Sequence, residues 1–273
     1  MNLSRTLDRR TFVVDLGRGG IAIAVLGIAG CGPAATGSAA PSRSPVASGG
    51  GSPGATAGSS PAASASAVAS TSGEAGAPAW SRVNLGFVSA YILVHRGEAA
   101  IVDTGVEGSA DAIAAALTGI GLDWPAVAHV ILTHNHADHA GSAADVLDRA
   151  PDATGYAGAE DIAGITVPRS LTPVQDGDVV FDLQVITAPG HTPGSIAVLD
   201  PAAGGILVAG DAMGISGGVP SLPGAQFTED MEQAKASIAK LGGLTFETLL
   251  VGHGDPIESG AAALVAALGA EAR

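Results

Sequence analysis

Short apolar runs alternate with longer amphipathic stretches along the chain from about residue 79 onward. The short runs predict strands at residues 86–94, 99–105, 129–133, 154–158, 195–200, 205–211 and 246–254, with further strand patterns inside 179–190. Helical periodicity predicts amphipathic helices at residues 109–120, 142–149, 228–241 and 259–272. Gly121 is expected to end the first helix, and Thr228 is expected to be the N-cap of the third. Because strands alternate with helices, the pattern predicts an α/β fold in which helices cover the sheets.

The first thirty residues have the composition of a targeting segment. Arg5, Arg9 and Arg10 form a basic start, and an apolar run of about ten residues follows at 21–30. That run is too short to span a membrane as a helix, and its place after basic residues is typical of an export signal. Residues 8–14, DRRTFVV, resemble the twin-arginine export signal. We therefore exclude residues 1–30 from the fold and expect export, by the twin-arginine or the general route.

A single cysteine, Cys31, directly follows this segment. Residues 27–32, GIAGCG, resemble the lipobox of bacterial lipoproteins, which implies that Cys31 is lipidated and holds the chain at the membrane surface outside the cytoplasm. An ordinary buried cysteine is the alternative. Residues 32–78 are almost entirely Ala, Ser, Gly, Pro and Thr, so they cannot bury a core. We expect 31–78 to carry the anchor and a disordered linker, and 79–273 to form one folded domain.

The charge balance limits the partners that this chain can bind. The formal net charge is −14. Without residues 1–30, which hold four Arg and two Asp, 8 basic and 24 acidic residues remain and the formal charge is −16. Nucleic acid is therefore not expected as a partner, and a polyanionic substrate would be repelled. Part of the acidity is expected to be offset by bound cations. The sequence does not determine the oligomeric state.

Residues 133–141, THNHADHAG, place three histidines and one aspartate within six positions at the end of a predicted strand. Side chains two apart in an extended segment point the same way, so His134 and His136 can bind one ion from one side. As the chain turns toward a helix, Asp138 and His139 point elsewhere and can reach a second ion. The spacing therefore predicts two adjacent metal sites, with ordinary surface or core histidines as the alternative.

A pair of metals needs further ligands, and later strand ends supply candidates. His191 lies in the turn APGHTPGS, Asp211 follows the run VAG, and His253 follows LLVG. Each is preceded by glycine, which lets the backbone turn sharply and approach a site closely. Any one of them alone would more often be a structural residue, but the three together point to the same site.

The ordered set HxHxDH, followed by a distant His, Asp and His, resembles the pattern of the metallo-β-lactamase superfamily over about residues 80–258. The resemblance implies a four-layer αβ/βα sandwich with the site at one edge. It implies two groups of ligands, which are His134, His136 and His191 for the first metal and Asp138, His139 and His253 for the second. Asp211 would bridge the two metals. Asp103, in IVDTG, resembles the family's first motif and would orient ligands, with a turn-capping aspartate as the alternative.

Two cations that share one solvent molecule define the chemistry expected of this set. A metal-bound water loses its proton near neutral pH and yields a bridging hydroxide that attacks a carbonyl carbon. Asp138 can orient the hydroxide or shuttle its proton, so we assign the catalytic carboxylates to Asp138 and, through the ligands it orients, Asp103. Mixed histidine and carboxylate ligation favours two Zn²⁺ ions, and Fe or Mn is also compatible.

The expected substrate is a small ester, thioester or lactone. Asp211 and the pair at 138–139 resemble hydroxyacylglutathione hydrolases and lactonases more than true lactamases, which usually have Cys or Ser in place of Asp211. Only 20 residues follow His253, whereas glyoxalase II enzymes continue with a helical glutathione-binding domain, which argues against glutathione thioesters. β-Lactam hydrolysis and a metal-binding surface lipoprotein without turnover are the alternatives.

The pocket is expected to include residues 165–173 and 214–227. Both segments are weakly polar, and their one cation is Arg169. Arg169 is a candidate substrate contact, with a solvated surface residue as the alternative. We therefore expect a small-molecule substrate that is neutral or carries a single negative charge.

Overall fold

The computed structural model describes residues 79–202 and 204–272. The predicted targeting segment at 1–30, and the predicted anchor and linker at 31–78 with Cys31, lie outside these described residues. Of the helices in the described part, none is both long and apolar enough to cross a membrane.

The described residues form thirteen strands and five α-helices. The strands are β1 (Trp80–Asn84), β2 (Ser89–His95), β3 (Glu98–Val102), β4 (Val127–Leu132), β5 (Thr154–Gly158), β6 (Thr172–Val174), β7 (Val179–Val180), β8 (Leu183–Thr187), β9 (Ile196–Asp200), β10 (Ile206–Gly210), β11 (Gly214–Ser216), β12 (Val219–Ser221) and β13 (Thr248–Val251). The helices are α1 (Ala110–Gly119), α2 (Ala137–Ala140), α3 (Ala143–Arg149), α4 (Met231–Leu241) and α5 (Ala261–Glu271).

Within the described residues, the strands form two large sheets and one hairpin. The first sheet has the order β1-β2-β3-β4-β5-β6, with antiparallel pairing from β1 to β3 and parallel pairing from β3 to β6. The second has the order β13-β10-β9-β8-β7, in which only β10 and β13 pair in parallel. Strands β11 and β12 form the hairpin. Parallel strands bring their carboxyl ends to the same edge of a sheet, which is where ligands bind in α/β folds.

Strand β3 shows why its apolar run is continuous rather than alternating. Ile101 packs with Ile113 of α1 on the outer face of the first sheet. Its neighbour Val102 belongs to the cluster between the two sheets, together with Val198 of the second sheet. A strand that is covered on both faces needs apolar side chains at successive positions.

The second sheet is covered in the same way. Leu207 of β10 packs with Ile238 of α4 and Val265 of α5 on the outer face, whereas Val208 points into the cluster between the sheets. Full burial of each such aliphatic side chain contributes roughly 1.5–3 kcal/mol. The layers are therefore helices, sheet, sheet and helices, which confirms the four-layer αβ/βα sandwich expected from the sequence.

The strand predicted at 86–94 begins later than expected, and β1 before it was not predicted. The intervening residues form a turn, in which Leu85 N donates to Val88 O (3.0 Å) and Gly86 N to Asn84 Oδ1 (2.9 Å). Gly86 has a φ of 92°, which glycine adopts without strain. Apolar residues in the turn gave it the local pattern of a strand.

The prediction that Thr228 caps α4 was wrong. Asp230 is the N-cap, and its carboxylate accepts a hydrogen bond from Gln233 N (3.0 Å). Thr228 is extended, and its hydroxyl donates to the carbonyl of Gly224 (3.0 Å) and faces His191. Aspartate is preferred over threonine as an N-cap, so the residue preference and the tertiary contact of Thr228 both favour Asp230.

Candidate metal centre

The carboxyl ends of four strands meet at one edge of the sandwich. In the first sheet, β3 leads to Asp103 and β4 leads to residues 133–139. In the second sheet, β10 leads to Asp211 and β13 leads to His253, while His191 comes from the turn between β8 and β9. The topology thus brings together residues that are far apart in the sequence.

Three histidine side chains form a first group. Nδ1 of His136 lies 3.2 Å from Nε2 of His134 and 2.9 Å from Nε2 of His191. The rings of His134 and His191 are buried, and each lies nearly perpendicular to the ring of His136. Three ring nitrogens that converge in this way match a zinc site with three protein ligands and one open position.

Asp138, His139 and His253 form a second group. Nε2 of His253 lies 3.3 Å from Oδ2 of Asp138, and Nε2 of His139 lies 3.9 Å from the same oxygen. His139 is fully buried, whereas Asp138 and His253 line a cavity. The second group is therefore closed on the protein side and open on the cavity side.

Asp211 lies between the two groups. Its Oδ2 is 3.5 Å from Nε2 of His191 and 3.2 Å from Nε2 of His253. Its Oδ1 is 3.3 Å from Nε2 of His139. One carboxylate thus contacts a histidine of the first group and two of the second, which is the placement that a bridging ligand needs.

Two rings of the second group are oriented by acceptor oxygens behind them. Nδ1 of His139 lies 2.8 Å from Oδ2 of Asp103, and Nδ1 of His253 lies 2.7 Å from the carbonyl oxygen of Phe87. Because these oxygens accept hydrogen bonds, Nδ1 carries the hydrogen in each ring. When the rings of His139 and His253 are neutral, the hydrogen-bond network therefore places the lone pair on Nε2, which points into the site.

Two threonine hydroxyls orient the rings of the first group. Thr133 Oγ1 donates to Asp103 Oδ2 (2.8 Å), and Thr228 Oγ1 donates to a backbone carbonyl (3.0 Å). Each hydroxyl oxygen can then accept a hydrogen from a ring nitrogen. Nδ1 of His134 lies 3.1 Å from Thr133 Oγ1, and Nδ1 of His191 lies 3.3 Å from Thr228 Oγ1. Nε2 of both rings is consequently available to a cation.

The donor set fits divalent cations. Nε2 of His139 and Oδ1 of Asp211 are buried, and neither has a well-oriented hydrogen-bond partner among the described residues. An unpartnered buried polar atom costs about 1–3 kcal/mol, so such atoms are rare. A cation between them satisfies both. Imidazole nitrogens and carboxylate oxygens are ligands of Zn²⁺, and Fe and Mn also tolerate them.

Burial keeps two rings of the first group, those of His134 and His191, neutral. It lowers the pKa of His134 well below its usual value. It also lowers the pKa of His191 to about 4, against the opposing effect of Asp211. Both rings can therefore bind a cation at neutral pH without first releasing a proton.

Carboxylates have the opposite effect in the second group. Burial opposes a charge on His139, but Asp103 and Asp211 raise its pKa to about 10. Contact with Asp211 raises the pKa of His253 as well. Burial works against the charge of Asp211, yet contacts with His139 and His253 hold its pKa below the usual value. A positive charge is thus favoured among Asp211, His139 and His253, whether a proton or a metal cation carries it.

Asp103 supports the site from behind. It is buried, and its φ of 61° ends β3 in the left-handed region. Its carboxylate accepts from Thr133 N (2.7 Å) and Thr133 Oγ1 (2.8 Å), and it contacts Nδ1 of His139. Asp103 does not line the cavity. Its contacts are those of a positioning residue, which agrees with the ligand-orienting role expected for it.

Asp161 is a buried carboxylate that the sequence motifs did not identify. Its Oδ2 accepts from Asn135 N (3.0 Å) and Thr192 Oγ1 (2.6 Å), and its Oδ1 accepts from Gly194 N (2.9 Å). Asn135 lies between two histidines of the first group, and Thr192 follows the third. Asp161 thus ties together the two loops of the first group. No local pattern around Asp161 signals this role, because its three partners come from elsewhere in the chain.

A cavity of about 610 Å³ opens onto both groups. Beside the potential ligands, its walls are formed by Phe87, Ala137, Gly224, Gln226 and Phe227. The expectation that part of 214–227 lines the pocket is confirmed by the last three of these residues. A smaller cavity of about 190 Å³ adjoins it and is lined in part by the β11–β12 hairpin.

The other predicted pocket segment, 165–173, does not line this cavity. Arg169 donates to the carbonyl oxygens of Leu147 (2.8 Å) and Ala150 (2.7 Å) at the end of α3. Carbonyls in the last turn of a helix, such as that of Leu147, lack a partner within the helix, so a guanidinium group stabilises this end. Arg169 therefore supports a helix end and is neither a substrate contact nor a freely solvated side chain.

Comparison with known proteins agrees with this architecture. Residues 83–253 match the family model described as the metallo-beta-lactamase superfamily. The uncharacterized protein YobT of Bacillus subtilis is 29% identical over 202 residues, which are 63% of this chain and 85% of YobT. A hydroxyacylglutathione hydrolase of Alkalilimnicola ehrlichii is 34% identical over 161 residues, which are 58% of this chain and 57% of that protein. A solved metallo-beta-lactamase family protein from Thermus thermophilus has a TM-score of 0.56 at 23% identity, over 67% of this chain and 74% of its own.

The chain belongs to the metallo-beta-lactamase superfamily, since the family model spans more than half of its length. It is a metallo-hydrolase of that superfamily, with a cluster of His and Asp side chains that fits a metal site. The match covers little more than half of the hydroxyacylglutathione hydrolase. The substrate of that relative is therefore not transferred on similarity alone.

Proposed function

We propose that this protein hydrolyses a small ester, thioester or lactone with two divalent cations, of which Zn²⁺ is favoured. The proposed ligands are His134, His136 and His191 for one cation, Asp138, His139 and His253 for the other, and Asp211 as the bridge. The observation that carries the proposal is the convergence of these seven side chains on one open cavity, with four ring Nε2 atoms oriented inward by their hydrogen bonds.

Divalent cations bound here would lower the pKa of a coordinated water molecule toward neutral pH and would polarise a carbonyl group. Asp138 lies on the cavity wall beside His253, where its carboxylate can take the proton of the attacking water. The water oxygen bonds to the carbonyl carbon, and the bond from that carbon to the leaving oxygen or sulfur breaks. Asp138 then returns the proton to the leaving group, so the products are an acid and an alcohol or thiol.

The open cavity supports turnover over a purely structural role. Structural zinc is usually closed by four protein ligands, whereas the proposed ligands Asp138, His191 and His253 face a cavity large enough for a small organic molecule. The similarity to hydroxyacylglutathione hydrolase supports a thioester or a related acyl compound. The solved lactamases that resemble this chain are less than 25% identical, so they support the fold without favouring β-lactam substrates.

The test uses the full chain with two equivalents of Zn²⁺, Mn²⁺ or Fe²⁺ against lactones, thioesters, esters, phosphodiesters and a chromogenic cephalosporin. We expect hydrolysis of an ester, thioester or lactone that is lost in Asp211→Ala. Asp123→Ala is the matched control, because Asp123 is exposed and does not line the cavity. Metal binding without turnover of any compound would contradict the proposal and favour the metal-binding lipoprotein. Preferred turnover of the cephalosporin would favour a lactamase.

We also propose that residues 1–30 direct export and that Cys31 carries the lipid which holds the protein at the membrane surface outside the cytoplasm. The support is the basic and apolar segment before Cys31 and its resemblance to a lipobox. Cys31→Ser should move the protein from the membrane fraction to the soluble fraction, while Ser38→Ala should leave it in the membrane fraction. Replacement of Arg9 and Arg10 by Lys should block export if the twin-arginine route is used, and unimpaired export would assign the general route.

A further inference from the structure

Exposed apolar side chains are concentrated around the candidate metal centre. Phe87 and Phe227 line the cavity, although they are 64% and 63% exposed. Leu222, which is also exposed, lines the smaller cavity beside it. Large apolar side chains grouped in this way on a soluble domain mark a binding surface. The entrance to the metal centre is therefore apolar.

Each of the two phenylalanines is, or directly precedes, a residue that makes a hydrogen bond to a proposed metal ligand. The carbonyl of Phe87 accepts the hydrogen bond of His253, and its ring stacks on the His253 ring with a centroid distance of 6.1 Å and an interplanar angle of 15°. Phe227 ends a short 3₁₀ turn and directly precedes Thr228, whose hydroxyl holds His191. Each ring is thus positioned by the same contacts that orient a ligand, so the apolar entrance is built into the site.

The cationic side chains are engaged elsewhere. Each lysine or arginine in the described residues has a partner away from the cavity: Arg82 with Asp255, Arg96 with Asp182, Arg149 with Asp111, Arg169 with the carbonyls that end α3, Lys235 with Glu232 and Lys240 with Asp176. None of these described cations lines the cavity. A remote carboxylate or phosphate on a substrate would therefore meet aromatic rings and Gln226, with no lysine or arginine from the described residues to pair with it.

From the apolar entrance and the absence of a described cation there, we propose that the natural substrate carries an uncharged, apolar chain that packs against Phe87 and Phe227. This inference rests on the proposed hydrolase function and names the class of its substrate. The reacting carbonyl lies at the proposed ligands, and the chain extends from it toward the entrance. Anionic acyl compounds and the charged thioesters of glutathione are disfavoured, because their carboxylates would be desolvated without a partner.

The experiment uses the full chain loaded with Zn²⁺ and two series of thioesters. In the first series, the leaving group is always N-acetylcysteamine and the acyl group is acetyl, butanoyl, hexanoyl, octanoyl or the carboxylate-bearing adipoyl. In the second series, the acyl group is always acetyl and the thiol carries a chain of two to eight carbons. We expect kcat/KM to rise about fourfold per methylene in at least one series, as full burial of a methylene group predicts. The adipoyl ester should be at least tenfold slower than the hexanoyl ester.

The variants Phe87→Ala and Phe227→Ala test whether the apolar chain of the substrate packs against these two rings. Each should lower the increase per methylene to less than twofold, and Phe→Leu at the same position should restore part of it. Val179→Ala is the matched control, because Val179 is 67% exposed and lies in β7, away from the cavity. It should leave the dependence on chain length unchanged. Uncleavable N-methyl amides of four and eight carbons give an independent readout by calorimetry, with the longer amide binding more tightly in the wild-type protein than in either phenylalanine variant.

The outcomes separate this inference from the proposed function. Hydrolysis without dependence on chain length, a dependence that survives both phenylalanine variants, or an adipoyl ester as good as the hexanoyl ester would overturn the substrate class and leave the hydrolase intact. Absence of hydrolysis in every compound, despite bound Zn²⁺, would overturn the proposed function and the inference together. A dependence on chain length that only Phe87→Ala and Phe227→Ala reduce would support both.

Discussion

Gly252 shows how little space the metal centre leaves for a side chain. A Cβ atom at this position would lie 2.2 Å from Oδ1 of Asp211 and 2.4 Å from Cε1 of His139. These distances are shorter than any van der Waals contact, and both neighbours are proposed ligands. The glycine before His253 is thus required by the close approach of the backbone to the site.

Gly252→Ala should displace Asp211 or His139 and remove at least one of the two proposed zinc ions. We expect the free energy of unfolding to fall by about 1–3 kcal/mol, since overpacking a closely packed region has this cost. Metal content after dialysis and denaturant unfolding measure the two effects. Gly119→Ala is the matched control, because a Cβ there meets nothing within 4 Å. Retention of both zinc ions by Gly252→Ala would contradict the placement of these ligands.

The carboxylate of Asp103 acts through His139. Replacement by asparagine removes the negative charge and one acceptor oxygen while it keeps the shape of the side chain. In Asp103→Asn, the side-chain NH₂ group would face hydrogen-bond donors from Thr133 or His139. We expect a 10- to 100-fold loss of zinc affinity, the usual effect of removing an acceptor behind a ligating histidine. Competition with a chromophoric chelator measures it, with Asp123→Asn as the control. Unchanged zinc affinity would assign Asp103 only a role in the turn.

At the scale of elements, the site depends on loops that end strands of different sheets. The segment after β4 supplies four proposed ligands, and the turn between β8 and β9 supplies another. Ile196 N at the start of β9 donates to Thr133 O (2.9 Å), which joins the two sheets at this edge. Asp161 then joins the two loops through three hydrogen bonds. The geometry of the first ligand group therefore depends on contacts between elements as well as on the motif itself.

Asp161→Ala should loosen the first ligand group while the second is retained. It leaves two buried donors and one partly buried donor without this acceptor, so the free energy of unfolding should fall by about 2–4 kcal/mol. Zinc titration should show that one of the two equivalents binds more weakly. Asp152→Ala, which removes an exposed carboxylate, is the control. A variant that is destabilised but binds both equivalents with unchanged affinity would show that Asp161 serves the fold without positioning the ligands.

At the scale of the whole molecule, the metal centre links two halves of the sandwich. Asp103 and residues 133–139 follow strands of the first sheet, whereas His191, Asp211 and His253 follow strands of the second. Cations that bind the folded protein more tightly than the unfolded chain stabilise it in proportion to RT ln(1 + [L]/Kd). Loss of metal should therefore weaken the whole domain.

Removal of metal with a chelator should lower the melting temperature of the full chain, and added Zn²⁺ should restore it. At a free concentration of one hundred times Kd, the expected gain is about 2.7 kcal/mol. Differential scanning calorimetry at several zinc concentrations measures the effect. Mg²⁺ at the same concentration is the control, because it prefers oxygen ligands in octahedral geometry. A melting temperature that is the same with chelator and with excess zinc would contradict a metal centre between the sheets.

Local pattern was sufficient for several features of this fold. The apolar run at 99–105 predicted a strand, which is β3, and Gly121, with a φ of 79°, follows the end of α1 as expected. The HxHxDH spacing predicted that neighbouring side chains diverge, and His136 and His139 indeed belong to different groups. These features depend on residues that are close in the sequence, so periodicity and spacing contain the information.

Other features were beyond any local pattern. The turn at 85–88 contains apolar residues, so the local pattern predicted the wrong start for β2. Asp161 has no motif around it, because its partners come from two other loops. Arg169 was a candidate pocket residue until its contact with the end of α3 was visible.

The sequence by itself determined the residue types of the site, their location at strand ends and an α/β fold with covered sheets, because these follow from side-chain chemistry and from hydrophobic periodicity. The order of the four layers was implied only by the resemblance to the superfamily. Only the tertiary structure decided which nitrogens face inward, which carboxylate lies behind the ligands and which aromatic rings surround the entrance. Each of these depends on atoms that are distant in the chain and become neighbours when the two sheets pack together. Packing distances, which the order of residues does not contain, therefore decided the geometry of the site.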